Sequence, residues 1–515
     1  MVVTTDKLEN RNVQQSEIDG ILWAASDTLR GVMDISEATR YILAMLCLKY
    51  VSDVWLDLYE MYQQQYRDDP ESMQELEKEW FVLPKEASFY YLYRQRDANN
   101  LGKLINKALK AIEKHEAKLD GVFQHIDFSR SNRTPTEAWN ELLKRLLEEF
   151  SRPQLDLRLS QVDKDIVGNA CIRLIERSEG SDAGEFFTPV QLSKLIAKLA
   201  KPKSGDSIYD PACGSASLLI RVAEEVEDGN YSLFGQERNY SVWTIAKMNM
   251  LLHGIDEARL ECGDTLKNPA LTKLDQLMKF DVVVSDPPFS LGEWGFENAA
   301  SDPYNRFRRG TPPRGNGDYA FISHMIESAL PSKGRVVVIA PHGVLFRRAK
   351  EDKIRKQLIE ENLLDAVIAI PSRLLPYGGI SIVILVFDRS REKGGDNQKR
   401  KDVLFIDASR ESERGRAKNT LLDEHINHIV EVYRERKNVE NYAHVATLDE
   451  IKKNDFNLSI SHYIDMSEDA KTIDITVVQQ EMNQLESQLT EVRSKMANSL
   501  KQLGVEVAIG DEPFL

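Results

Sequence analysis

The chain has 515 residues, 42% of them hydrophobic, and a formal net charge of −15 from 67 basic and 82 acidic side chains. That length supports roughly two to four domains with full cores. The acidic balance excludes a protein that grips nucleic acid unaided over its whole surface, since phosphate contacts dominate such affinity, so either basic residues cluster or a partner supplies the grip. Cys47, Cys171, Cys213 and Cys262 are widely spaced, with no C-x-x-C, and give neither a zinc site nor a disulfide framework. No run reaches membrane-spanning length, and the opening Met1–Asn10 holds no apolar export signal, which predicts a reduced, cytoplasmic protein.

Residues 1–165 read as helical, with Ile18, Ile21, Leu22, Ala25, Leu29 and Val32 recurring at helix spacing. Residues 166–465 alternate strands with helices, which implies a mainly parallel sheet. Strands are expected near Ile208, Leu233, Leu260, Val283, Val337, Ile368, Val383 and Leu404. Residues 466–515 form a tail with one long helix over about 470–505. There Met482, Leu485, Leu489, Val492 and Met496 alternate by three and four, as in a coiled-coil seam. Such a stripe needs a cover, either its own chain or a partner's helices.

Glu185-Phe186-Phe187-Thr188-Pro189 opens a helix in which Thr188 is expected as N-cap, Pro189 as first residue and Gln191 as the closing member of a capping box. The two aromatics can flank a ligand carboxylate at the positive helix end, or form a hydrophobic staple. Next, a short strand meets Asp210-Pro211, followed by the small residues Ala212, Cys213, Gly214, Ser215, Ala216 and Ser217. Small residues permit close backbone approach to a ligand, and Gly214 can adopt positive φ. The following strand ends in Glu237, where an acid is placed to bind ribose hydroxyls. A G-x-G-x-x-G pattern is absent, which favours a nucleoside without a pyrophosphate, such as S-adenosylmethionine. Asp264 can accept from an adenine amino group or serve as a turn residue.

Residues 281–289, Asp-Val-Val-Val-Ser-Asp-Pro-Pro-Phe, end a buried strand in an acid, two prolines and an aromatic ring. Asp286 and the Pro287 carbonyl can each accept from a planar amino group, and Phe289 can stack on the base that carries it. Pro287 and Pro288 make the loop rigid in advance. Arg306, Arg308, Arg309 and Arg314 follow, as expected phosphate contacts beside an extruded base or as solvated loop charges. Asn316 to Phe321 begins a helix, with Asp318 a candidate N-cap. Arg347, Arg348 and Lys350 form a second basic group, and Arg389–Lys401 reads as an exposed hairpin.

Taken in order, Glu185–Pro189, Asp210–Ser215, Gly235-Gln236-Glu237 and Asp286–Phe289 resemble the amino-methyltransferases of DNA. Most specifically, the chain is similar to the modification subunit of Type I restriction–modification systems, an N6-adenine methyltransferase. Leu22–Gly31 and Leu48–Asp53 are similar to that family's helical N-terminal domain. The resemblance implies an α/β fold: a Rossmann-like S-adenosylmethionine-dependent methyltransferase domain with a helical N-terminal domain and a C-terminal coiled-coil-like helix. It implies cofactor binding by Glu185 through Val190, Asp210, Gly214 to Ser217, Glu237 and Asp264, and amine binding by Asp286 to Phe289, with no metal. Its implied partners are double-stranded DNA, a specificity subunit that serves two modification subunits, and a restriction subunit. No G-x-x-x-x-G-K-[ST] loop occurs, so ATP-driven cleavage is expected of another polypeptide. The family usually carries Asn where this chain has Asp286, and a glycine pair where it has Ala216-Ser217. Transfer to N4 of cytosine, to RNA or a protein amide, and a non-catalytic scaffold are the competing readings. A C5-cytosine mechanism needs a Pro-Cys nucleophile, and the chain has none.

Overall fold

The computed structural model describes residues 13–66, 72, 74, 76, 82–115, 119–129, 135–177, 188–255, 257–375, 380–415, 419–465 and 475–502. They fall into two units, one reaching Ile464 and one starting at Asp465.

Eleven strands lie among the described residues of the first unit: β1 Asp206–Asp210, β2 Tyr231–Glu237, β3 Arg259–Cys262, β4 Thr272–Lys273, β5 Gln276–Leu277, β6 Val282–Ser285, β7 Arg335–Pro341, β8 Leu364–Ala369, β9 Ile382–Asp388, β10 Asp402–Asp407 and β11 Ala443–Thr447. Nine of them form one sheet in the order β11-β10-β8-β9-β7-β6-β1-β2-β3, and β4 and β5 make a separate hairpin. From β3 to β7 neighbouring strands are parallel, while β9 enters antiparallel between β7 and β8 and β11 adds an antiparallel edge. All eight strands expected from sequence are present. Those nearest the centre are Val- and Ile-rich and buried on both faces, as strands covered by helices on both sides must be, whether parallel like β6 or antiparallel like β9. Ala443–Thr447 carries no clear period in sequence, since its edge position leaves Ala443 and Ala446 buried, His444 and Val445 half-buried and Thr447 exposed.

Two apolar clusters cover the two faces of the sheet. A third fills the helical N-terminal part and takes in Ile245, Met248, Leu251 and Leu252 of the helix Tyr240–Leu252. The helical region is thus packed against the helix that follows Glu237. Its seam has little slack: a Cβ at Gly168 would lie 2.3 Å from the His253 ring. Arg40 donates to Ser241 Oγ at 3.2 Å, and Tyr240 donates to the Gly121 carbonyl.

Residues 389–401 correct the exposed-hairpin expectation. β9 and β10 are not paired, because β8 lies between them. Arg389 and Arg391 are buried, and Arg391 donates to Asp365 Oδ1 at 2.7 Å. The rest of the run is largely exposed as expected, Lys393, Asp396, Lys399 and Lys401 among it, while buried carboxylate and carbonyl acceptors take Arg389 and Arg391 inside.

In the second unit the helix Ile475–Gln502 carries the expected stripe on its surface, with Met482, Leu485, Leu489, Val492 and Met496 each at least half exposed. No helix among the described residues is long and apolar enough to cross a membrane.

Candidate active site

From β1 the chain moves outward to β2 and β3 and then returns to β6 on the other side of β1. This reversal opens a crevice at the carboxyl ends of β1 and β6, where ligands bind in open α/β sheets. Acidic side chains stand at or just past the ends of four adjacent parallel strands: Asp210, Glu237, Asp264 and Asp286.

Each acid is held by a different set of donors. Asp210 Oδ1 accepts from Ala212 N at 2.9 Å and from Ser285 Oγ at 2.7 Å, which ties the end of β1 to the end of β6. Glu237 Oε2 accepts from Gly214 N at 3.0 Å, and its Oε1 from Asn239 N at 2.6 Å. Asp264 Oδ1 accepts from Leu266 N and Lys267 N at 3.1 and 3.0 Å, while Oδ2 lies 3.6 Å from Arg238 Nε. Asp264 is therefore a turn residue whose Oδ2 faces the Arg238 cation without a hydrogen bond among the described residues, so both sequence readings of it stay compatible with its position.

The loop between β1 and the helix Ser217–Ala223 is tightly made. Gly214 and Ala216 both have positive φ, at 54° and 63°. Ala216 pays a steric penalty there that glycine would escape. Close approach recurs at Gly235, where a Cβ would lie 2.8 Å from Leu260 and 2.9 Å from Cys213 Sγ. Asn249, on the helix after β2, donates to the Ser215 carbonyl at 2.9 Å and so braces the loop from behind. Sequence gave no sign of Asn249, because its partner lies 34 positions away and only the fold brings them together.

Thr188 corrects the capping-box expectation. The helix Val190–Ala200 has Pro189 as its N-cap and no side-chain cap bond. Thr188 Oγ1 instead donates to Asp286 Oδ2 at 3.1 Å. A hollow beside it is lined by Thr188, Val190, Ser193, Ser217 and Arg221, so three of the sequence-named positions meet there. Glu185, Phe186 and Phe187 lie outside the described residues.

Asp286 is half-buried as a residue, but its Oδ1 is wholly covered and has no hydrogen-bond partner. Burial pushes its carboxyl up to about 7, with the Thr188 hydroxyl pulling the other way. Burial likewise raises Asp210 to about 7, opposed by Ser285 and Ala212. Pro287 is buried, Pro288 exposed, and Phe289 half-buried against the sheet's apolar cluster. Asp318 is also not an N-cap: it is buried, Oδ1 accepts from Ser290 N at 2.6 Å, and Oδ2 accepts from Arg347 Nη2 at 2.5 Å. It bolts the segment after Phe289 to the segment after β7.

The arginine cluster divides. Arg306 and Arg309 are buried, which corrects their reading as phosphate contacts. Arg306 donates to Asp302 and to the Thr265 and Leu266 carbonyls, and Arg309 to Glu327 and Glu361. Arg308 shares those two glutamates but is 38% exposed, and Arg314, paired with Glu297, is 75% exposed. Alternation of sequence position could not tell these apart, since Glu327 and Glu361 come from other elements.

The donor set suits an S-adenosylmethionine-like ligand. Carboxylates at the crevice favour a sulfonium, hydroxyls and amines, and disfavour phosphate. The orphaned acceptor on Asp286 waits for a donor, and the crowded Cys213–Gly235 contact allows close packing beneath a nucleoside.

The model of the N-6 DNA methylase family matches residues 162–472, and that of the HsdM N-terminal domain matches residues 18–150. The chain belongs to the N-6 DNA methylase family. It is 31% identical over 95% of its length, and 84% of the relative's, to the Type I restriction enzyme MjaVIII methylase subunit of Methanocaldococcus jannaschii. It is 27% identical to the MpnII methylase subunit of Mycoplasma pneumoniae, covering 97% of this chain and 98% of that one. The type I restriction-modification methyltransferase subunit from Streptococcus thermophilus superposes with a TM-score of 0.78 at 28% identity, covering 88% of this chain and all of that one. This methylase is thus a Type I modification subunit, and its reaction is methyl transfer from S-adenosylmethionine to N6 of adenine in DNA.

Proposed function

We propose that the crevice between β1 and β6 carries out this transfer on an adenine drawn out of double-stranded DNA, with target choice supplied by a specificity subunit. The observation that carries the reading is the buried, unpartnered Oδ1 of Asp286 on a loop stiffened by two prolines.

When bound, S-adenosylmethionine supplies a methyl group on a positively charged sulfur. Glu237 would hold the ribose hydroxyls, the 214–217 loop and Val190 would close around the rest of the nucleoside, and Asp264 would accept from its adenine amino group. Asp286 Oδ1 and the Pro287 carbonyl accept the N6–H bonds of the target adenine. That raises electron density at N6 as it becomes tetrahedral. Phe289 stacks on the extruded base, offsetting part of the few kcal/mol that extrusion costs with a contact of ~1–3 kcal/mol. Catalysis then rests on positioning rather than on a covalent intermediate. Arg308 and Arg314, the exposed members of the arginine cluster, contact phosphates.

Partner assembly falls to the tail. The stripe Met482, Leu485, Leu489, Val492 and Met496 is the seam for helices of the specificity subunit, two modification subunits flanking one specificity subunit, with a restriction subunit joining for cleavage. The net charge of −15 supports this division, because the chain needs help to hold DNA. The setting is the cytoplasm. The test is transfer of labelled methyl to DNA with and without the specificity subunit, followed by nucleoside analysis. Label in N6-methyladenine only with the partner is expected. Label in N4-methylcytosine, or full activity of the lone chain, overturns the reading.

A further inference from the structure

Phe346 is a large aromatic side chain left 44% exposed on the catalytic edge of the sheet. β6 and β7 run parallel, with Ser285 opposite Val338, so the segment after Pro341 emerges on the same edge as Asp286. The segment is rigidly mounted. His342–Leu345 is a 3-10 turn in which Val344 and Leu345 are buried. Tyr319 donates to the Val344 carbonyl and Leu458 N to the Leu345 carbonyl, each at 2.9 Å. Arg347, the next residue, reaches Asp318, and Asp318 holds Ser290 N of the loop that carries Phe289. Two side chains therefore couple Phe346's neighbour to the base-binding turn.

Nothing in the fold needs this ring outside. Its one ring neighbour among the described residues is His342, 5.6 Å away. Beyond it Arg348 is exposed and has no ion pair among the described residues, and Lys350 is exposed with its ammonium 4.6 Å from the Phe296 ring. A fixed aromatic flanked by solvent-facing cations matches a base stack flanked by phosphates. A fixed mount also loses little side-chain entropy on binding.

We infer that Phe346 and Arg348 form a duplex contact beside the extruded adenine. Phe346 stacks on a base uncovered when the adenine leaves, and Arg348 pairs with a backbone phosphate. The inference goes beyond the transfer reaction and rests on base extrusion. It identifies a residue that lowers the cost of opening the duplex without touching the methyl donor.

The test uses the full chain with its specificity subunit and two duplexes containing the unmethylated target site, one fully paired and one mismatched opposite the target adenine. Phe346→Ala slows transfer on the paired duplex by about fivefold to 150-fold, the range carried by one base–aromatic stack. The mismatch restores most of that loss, because an unpaired adenine is cheaper to extrude. Phe346→Trp keeps the wild-type rate. Arg348→Ala lowers the slope of log affinity against log salt by ~0.9. Cofactor binding and melting temperature stay unchanged in all three. Wild-type rates in Phe346→Ala on the paired duplex overturn the inference. So does an equal loss on both duplexes, or a failure of that variant to assemble with the specificity subunit. Absence of transfer by the wild-type complex on either duplex would instead count against the extrusion reading itself.

Discussion

Thr188 Oγ1 donates a hydrogen bond of 3.1 Å to Asp286 Oδ2, joining two segments 98 positions apart. The bond occupies one carboxylate oxygen and leaves the other, Oδ1, without a partner. Because it stabilises the ionised form, it lowers a carboxyl that burial has raised. Thr188→Val, which keeps the shape, therefore moves the acid limb of the rate–pH profile upward, and Thr188→Ser returns it. An unchanged limb in the valine variant, with rate lost only through weaker cofactor binding, would show that Thr188 acts on the cofactor alone.

Asp286→Asn keeps an acceptor oxygen but cannot ionise. Wild-type transfer is expected to fall as pH drops below about 7, where Asp286 takes up its proton, and the Asn variant to lack that limb. Stability has the opposite sign. The folded carboxyl sits above its ordinary value of about 3.9. Its contribution is thus fully present below about pH 4 and lost as pH rises to about 7. Asp286→Asn should melt close to wild type at pH 4 and progressively higher from there to pH 7. Parallel melting curves across that window would mean the carboxylate is better solvated than its surroundings indicate.

Arg309 and Arg314 separate structure from DNA contact. Arg309 is buried and pairs with Glu327 and Glu361 at 2.7 Å each, so Arg309→Ala removes a buried guanidinium and leaves both half-buried glutamates to Arg308, costing about 1–3 kcal/mol in denaturant unfolding. Arg314→Ala leaves stability within about 0.5 kcal/mol and weakens DNA binding in a salt-dependent way. Equal effects of the two on stability would contradict this division.

Ala349 sits at φ 63°, ψ −116°, ahead of the helix Lys350–Glu360, in a region that glycine enters freely and alanine does not. Ala349→Gly should raise unfolding stability by ~1 kcal/mol, a gain net of the added freedom of the unfolded chain. A lower denaturation midpoint in that variant would show that the alanine conformation is not strained.

The sequence by itself determined the local pieces of this methylase. Runs of Val and Ile announced the central strands, because a strand buried on both faces must be apolar throughout, whatever its direction. The turns after β1 and β6 were legible because small residues and proline constrain backbone geometry on their own. The spaced stripe of the tail was legible for the same local reason. Tertiary structure alone decided which polar groups meet. Thr188 left its helix end for Asp286, Asp318 became a clasp between two loops, and Asn249 became a brace. Arg306 and Arg309 went inward while Arg314 stayed outside, although all three read alike in sequence. Burial and long-range partnership set those fates. Both depend on what the rest of the chain places nearby, which no local pattern encodes.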